Sequence, residues 1–238
     1  MKSMFSFLVS MCILFFGIGS AKAVERSAPK LVTTGVSSVF VPLGFDDNDN
    51  VQVVIEGYFP NTCYKLGPSN IEVEDEKVKI TPLAYFYAGP CLQMMVHYEK
   101  AVNLGLLKAG KYRVEISQTV LEVPPLVVKE ADPNNATPDD FLYAPIKSAS
   151  IISQNPPVLR LKGAFTNSCM KMEEVRVPPS YNRTVAVLPI ATYKGQEGCA
   201  QVMMPFEQDV AISEKLAGRY LFHIRSLNGA SVNLIEDL

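Results

Sequence analysis

Tryptophan is missing from this 238-residue chain, and histidine occurs only twice, at His97 and His223. No Gly-x-Ser-x-Gly segment is present either. A Ser/His/Asp or Cys/His catalytic site needs a histidine beside an activated nucleophile, and the sequence offers little material for one. We therefore expect a protein that is not an enzyme. His223 alternates with apolar neighbours beside Arg225, and we predict that it is solvent-exposed.

Basic clusters and basic runs are also missing. The chain carries 22 basic and 24 acidic residues, which gives a formal net charge of −2. Proteins that bind nucleic acid or anionic lipid usually concentrate lysine and arginine on one face. The nearly even balance therefore argues against nucleic acid and against an anionic membrane surface as main partners.

Only one stretch is apolar over enough residues to concern a membrane, and it lies at the start of the chain. Lys2 precedes an uncharged apolar run over residues 4–19, and Ala21-Lys22-Ala23 follows that run. This order is typical of a cleavable Sec-type signal peptide, which would span residues 1–23. The alternative is a membrane anchor, but the run is slightly short for a span. We expect a periplasmic or secreted protein with no membrane span after signal cleavage.

Helical periodicity is weak throughout, and the dominant apolar period is two. In residues 159–165, an apolar residue or glycine occupies every second position. Such alternation is typical of half-buried strands. About seven short strands in each half, separated by turn signals, predict an all-β sandwich architecture. Asn228-Gly229 is the strongest hairpin signal, whereas residues 99–107 and 207–216 are each predicted to hold a single helical turn.

One sequence pattern occurs twice. Residues 56–65 and 162–171 share Gly, Phe, Asn, Cys and Lys at a constant spacing, and Ala-Gly-x-Tyr recurs further on. The duplication predicts two domains, residues 24–128 and 141–238, joined by a polar linker over residues 129–140. We assign structural roles to the repeated residues, which are Gly57, Phe59, Asn61, Gly110, Tyr112, Gly163, Phe165, Asn167, Gly218 and Tyr220.

Four cysteines remain once Cys12 has left with the signal peptide, two in each copy. Four cysteines allow three connectivities, and the duplication selects the bridges Cys63–Cys91 and Cys169–Cys199. Each bridge closes a loop of roughly 30 residues, which is worth about 3.5 kcal/mol on the chain-entropy model. The alternative is a pair of metal sites or reactive thiols. It lacks the closely spaced cysteine or histidine partners that such sites use.

Two groups of residues are candidates for a metal site, although we expect no cofactor. Asp46, Asn48 and Asn50 have the alternating spacing of a calcium loop, but the following glycine and the distal glutamate are missing. The alternative for these residues is a polar turn between strands. Met95 and His97 combine a thioether with an imidazole, a set that suits Cu(I). The alternative for the methionines is that they fill gaps in the core.

Gly110 and Tyr112 in the first copy, and Gly218 and Tyr220 in the second, each follow a leucine at a short distance. This arrangement resembles the corner of immunoglobulin-like and fibronectin-type domains, where a tyrosine hydroxyl bonds back to upstream backbone. The whole repeat is similar to a group of uncharacterised exported bacterial proteins with small, tandem, cystine-containing Ig-like β-sandwich domains. The resemblance implies fold and location, and it transfers no catalytic residues. Val114 stands where antibody-type domains place their second cysteine, so the bridge must join different strands.

These patterns favour a non-catalytic binding or structural protein of the periplasm or cell envelope. Its partner would be an unidentified protein or an envelope polymer, which it would contact through loops or sheet edges. The alternative is a periplasmic metal-handling protein that binds copper or calcium through the residues named above.

Overall fold

The computed structural model describes residues 28–131, 141–195 and 198–238. These residues form sixteen β-strands and one 3₁₀ turn. Within the same ranges, no helix has the length and the apolar character that crossing a bilayer requires. The predicted signal peptide lies outside the described residues, and so does most of the predicted linker. Lys129, predicted as the first linker residue, is instead the last residue of a strand.

In the first copy, the described residues form nine strands in two sheets. The strands are β1 (Lys30–Thr33), β2 (Ser38–Phe40), β3 (Phe45–Asp46), β4 (Val51–Phe59), β5 (Tyr64–Glu74), β6 (Lys77–Phe86), β7 (Val96–Gly105), β8 (Gly110–Ile116) and β9 (Leu126–Lys129). One sheet has the order β2-β4-β7. The other has the order β1-β6-β8-β9-β3, with β5 paired to β6. Side chains from both sheets, such as Val53, Ile80 and Leu126, form one buried core.

The second copy repeats this plan with seven strands among its described residues. They are β10 (Ile146–Gln154), β11 (Pro157–Phe165), β12 (Met170–Arg176), β13 (Thr184–Tyr193), β14 (Met204–Ala211), β15 (Arg219–Arg225) and β16 (Ser231–Asp237). They form the sheets β10-β11-β14 and β12-β13-β15-β16, which share a core that includes Leu161, Val187 and Phe222. The predicted all-β class with tandem sandwiches is therefore confirmed.

Local predictions had mixed outcomes. The hairpin at Asn228-Gly229 is confirmed, because both residues have positive φ values, 60° and 66°, and connect β15 to β16. The helical turns predicted in residues 99–107 and 207–216 are wrong. The first parts of these ranges are strands, β7 and β14, because β4 and β11 need a hydrogen-bonding neighbour at that edge.

The repeated Gly-x-Phe motif is a packing device. Gly57 lies opposite Tyr98 of β7, and Gly163 lies opposite Phe206 of β14. A Cβ atom at Gly57 would lie 2.6 Å from the Tyr98 hydroxyl, and one at Gly163 would lie 2.5 Å from the Phe206 ring. Both rings also pack on the phenylalanine two positions later, at centroid distances of 4.5 Å and 4.6 Å. The neighbouring ring thus fills the space that the missing side chain leaves.

The tyrosine corner is present in the first copy. Tyr112 Oη donates a hydrogen bond to the carbonyl oxygen of Lys108 at 2.8 Å. Gly110 is the first residue of β8, and Tyr112 is buried in the core. In the second copy, Gly218 has φ 94° directly before β15, and Tyr220 packs against the core of that copy.

The two copies pack against each other through strands β4 and β15. One face of β4 belongs to the core of the first copy. On its other face, Val54 forms a buried cluster with Phe40, Leu221 and Ile235, of which the last two belong to the second copy. We call this contact the seam. Both strands are therefore buried on both faces, as a strand in the middle layer of a larger protein would be.

The seam joins unlike surfaces, because β4 corresponds in sequence to β11, whereas β15 corresponds to β8. Arg160 and Lys162 of β11 stand where β4 has Val54 and Glu56, and they pair with Glu207 and Asp209 of β14. On β6 and β8, the matching ion-paired residues are Lys77, Arg113 and Glu115. A contact between two unlike surfaces leaves one unused surface of each kind, on which a further sandwich domain could pack. Here both unused surfaces carry the ion pairs just named, and burying those charges is unfavourable, so these surfaces oppose the packing of a third domain.

We expect Val54→Ala to lower the free energy of unfolding by about 2 kcal/mol, because it removes buried apolar groups and leaves a cavity in the seam. Chemical denaturation measures the change. Val73 is 43% exposed on β5, and Val73→Ala is the matched control, with an expected change below about 0.5 kcal/mol. Equal losses in the two variants would contradict the seam as described.

Candidate functional site

Both predicted disulfides are present, and each closes a corresponding loop. Cys63 bonds to Cys91, with 5.4 Å between the Cα atoms, and Cys169 bonds to Cys199, with 5.5 Å. Each bridge ties the turn after the central strand, β4 or β11, to the segment that precedes β7 or β14. We call residues 91–95 the first tip and residues 199–203 the second tip.

The turn that carries each first cysteine is fixed by the repeated asparagine. Asn61 Oδ1 accepts a hydrogen bond from the Cys63 amide, and Asn167 Oδ1 accepts one from the Cys169 amide, both at 3.0 Å. The repeated asparagines therefore have a structural role as hydrogen-bond partners of loop backbone. Both side chains are half-buried at the end of the sandwich, where a short amide side chain stabilises the turn.

The same turn also holds the tip. The Thr62 hydroxyl accepts a hydrogen bond from the Leu92 amide, and the Ser168 hydroxyl accepts one from the Ala200 amide, both at 3.0 Å. A backbone hydrogen bond joins the same two residues in each copy. The Thr62 amide donates to the Leu92 carbonyl oxygen at 3.2 Å, and the Ser168 amide donates to the Ala200 carbonyl oxygen at 3.1 Å. Disulfide and hydrogen bonds therefore position the two tips in the same way.

The tips display apolar side chains to solvent. Leu92 and Met95 of the first tip are 69% and 63% exposed, and Met203 of the second tip is 52% exposed. Met94 and Val202 are exposed beside them. Residues 92–95 are loop, and β7 begins at residue 96. The alternative that methionines fill the core does not hold for the tips.

The segment from Asp46 to Asn50 is a closed polar turn. Asp46 and Asp49 are buried. Asp49 Oδ2 accepts a hydrogen bond from the Asp46 amide at 2.8 Å, and Asp46 Oδ1 accepts one from the Asn48 amide at 3.2 Å. Aspartate that bonds backbone in this way stabilises turns. Across residues 28–131, 141–195 and 198–238, no group of three or more His, Cys, Asp or Glu side chains is placed to hold an ion.

Glu56 is the centre of an ion-pair network in the seam. Its side chain is 1% exposed. Arg219 Nε of the second copy lies 2.8 Å from Oε1 and 3.0 Å from Oε2, and Arg219 Nη1 also reaches Asp237 Oδ2 at 2.8 Å. Burial alone raises the pKa of the Glu56 carboxyl. The hydrogen bonds from Arg219 and His97 outweigh burial and hold this pKa below its ordinary value of 4.5.

The second candidate metal pair is divided between the tip and the seam. His97 Nε2 lies 2.7 Å from Glu56 Oε1, and its ring packs on Tyr58 at a centroid distance of 5.3 Å. Met95 is exposed on the first tip. The imidazole nitrogen is thus engaged by a buried carboxylate.

His223 is fully buried, so the prediction of a solvent-exposed histidine is wrong. The alternation correctly placed His223 on the face of β15 that points away from the core of the second copy. The first copy covers that face. His223 Nδ1 lies 2.7 Å from Asn233 Oδ1, and the imidazole ring packs edge-on against Phe45 at 6.1 Å. Burial lowers the pKa of His223 to about 3, and the charge of Arg225 adds to this effect. The imidazole is therefore neutral in the folded protein at pH 7.

The sequence patterns missed the seam residues Glu56 and Arg219. One signal was present: Val54 and Leu221 are apolar residues at positions that the alternation assigned to solvent. An apolar residue between polar ones on an outer face indicates a contact with another layer.

We expect the free energy of unfolding to fall as the pH drops from 6.5, the ordinary pKa of histidine. Below that pH, the unfolded chain protonates His223 and the folded protein does not, so the slope approaches about 1.4 kcal/mol per pH unit. Below pH 4.5, Glu56 adds to the loss because its folded pKa is lowered. Denaturation at several pH values measures the slope.

His223→Leu should flatten this dependence between pH 6.5 and 4.5, whereas the control variant His97→Gln should retain it. If His223→Leu left the slope unchanged, the buried neutral imidazole would not be its source.

The comparisons with known proteins agree with the duplication. The family model for the ORF11 beta-sandwich domain matches residues 53–123 and, again, residues 159–234. A search of curated proteins and a search of solved structures found no match. The two matches follow the two sequence copies, cover more than half of the chain and confirm the tandem β-sandwich repeats. The chain therefore belongs to the ORF11 beta-sandwich domain family and carries this domain twice.

Proposed function

We propose that this chain is an exported, non-catalytic binding protein of the bacterial periplasm or cell envelope, and that it holds a protein partner at its two tips. One observation carries the proposal: the same disulfide and hydrogen bonds present exposed apolar side chains in both copies, namely Leu92, Met94 and Met95 in the first and Val202 and Met203 in the second. A duplicated display of this kind is a surface for contact, because structural stability gains nothing from apolar side chains in water.

The chemistry of the tips favours a protein as the partner. Methionine is unbranched and polarisable, it adapts to irregular apolar surfaces, and it is enriched in protein–protein interfaces. The disulfides fix the backbone beneath the side chains, so binding would order little of the chain and lose little conformational entropy. Two tips on one chain would also strengthen binding to a partner that both can reach.

The remaining parts of the proposal rest on the disulfides and the histidines. Two disulfides fit an oxidising space such as the periplasm or the exterior, in agreement with the predicted signal peptide. The four paired cysteines offer no thiolate. His97 pairs with Glu56, and His223 is buried at the seam. The side chains most suited to nucleophilic or acid–base catalysis are therefore engaged in structure.

We expect a photo-crosslinking residue at Met95 or at Met203 to capture the same partner protein when the full chain is exported in its native cell. Val120 is fully exposed in a loop of the first copy, and the same crosslinking residue at Val120 is the control. Leu92→Ser should reduce the amount of adduct at Met95 by about tenfold, because it removes a neighbouring apolar contact. Adducts that are absent at both tips, or equally abundant at Val120, would contradict the proposal.

A further inference from the structure

A cavity of about 350 Å³ lies between the two copies, beside the seam. Mostly apolar cavities of this size at the boundary of two domains are typical of small-molecule sites. The first copy contributes Leu43 and Val127, and the second contributes Pro178, Pro179, Ala186 and Leu188. Neither copy forms the cavity alone, so it exists only because the seam fixes the two copies relative to each other.

One charged side chain marks where the head group of a ligand would lie. Lys129 is the one charged residue among the described residues that line the cavity. Its exposed ammonium group makes the cavity favour an anion.

The turn that supplies Thr184 has an unusual backbone. Asn182 and Arg183 have φ values of 46° and 60°, in the left-handed region. Tyr181 and Thr184 close the turn with two backbone hydrogen bonds, both 2.9 Å long. A bulky residue such as arginine adopts this conformation at a cost, and residues of this kind concentrate at binding sites. Here the turn holds Tyr181 and Thr184 together at the cavity.

We propose that this cavity binds a small amphipathic anion, such as a medium-chain carboxylate. The apolar body of the ligand contacts Leu43, Val127 and Ala186, and its acidic head group pairs with the Lys129 ammonium. This site is separate from the two tips, and its occupancy does not depend on the protein partner proposed above.

The direct test is a calorimetric titration of the full chain with octanoate, octan-1-ol and octyltrimethylammonium, which share a chain length and differ in charge. We expect octanoate to bind at one site and at least tenfold more tightly than the other two. Lys129→Gln should weaken octanoate binding about tenfold and leave octanol binding unchanged. Lys65 is exposed on β5, and Lys65→Gln is the matched control, with no expected effect.

A second arm tests the location of the ligand. Ala186→Phe fills the cavity and should abolish binding. Should this variant fail to fold, amide spectra of the unaltered protein locate the site, because octanoate should shift Val127, Lys129 and Thr184. The proposal is overturned if octanoate does not bind, if the cationic probe binds as tightly, if Lys129→Gln changes nothing, or if those three amides do not move.

Discussion

The burial of β4 and β15 on both faces is the constraint on which the rest of the structure depends. The apolar cluster around Val54 and Leu221 brings the copies together, and the Glu56–Arg219 ion pair fixes their register. A buried carboxylate is unfavourable unless it is paired. Relative sliding of the copies would leave Glu56 without its partner, so the seam holds one arrangement. The buried His223 and the cavity beside the seam both follow from that arrangement.

The two copies have similar folds, but they contact each other through different sheets. The first copy uses the sheet that contains β4, and the second uses the sheet that contains β15. The two surfaces left over, on β11 and on β8, carry ion pairs in place of apolar residues. After the duplication, the sequences diverged so that each sheet is a contact surface in one copy and a solvated surface in the other. The two tips, by contrast, have the same geometry, and both expose apolar side chains.

Much of each copy could be predicted from the sequence, because local rules decide it. The repeated spacing identified the disulfide partners, and it marked Asn61 as a structural residue. Alternation identified the two faces of each strand. It could not show that the outer face of β15 is covered, because that depends on a contact between distant parts of the chain. His223 was therefore placed in solvent.

The most direct test of the seam is a double-mutant cycle with Glu56→Gln, Arg219→Gln and the double variant, followed by denaturation at pH 7. The seam predicts a coupling free energy of about 1–3 kcal/mol between the two side chains, since they contact each other across two copies. A coupling within about 0.3 kcal/mol of zero would show that the residues act independently. That result would contradict the packing of β4 on β15.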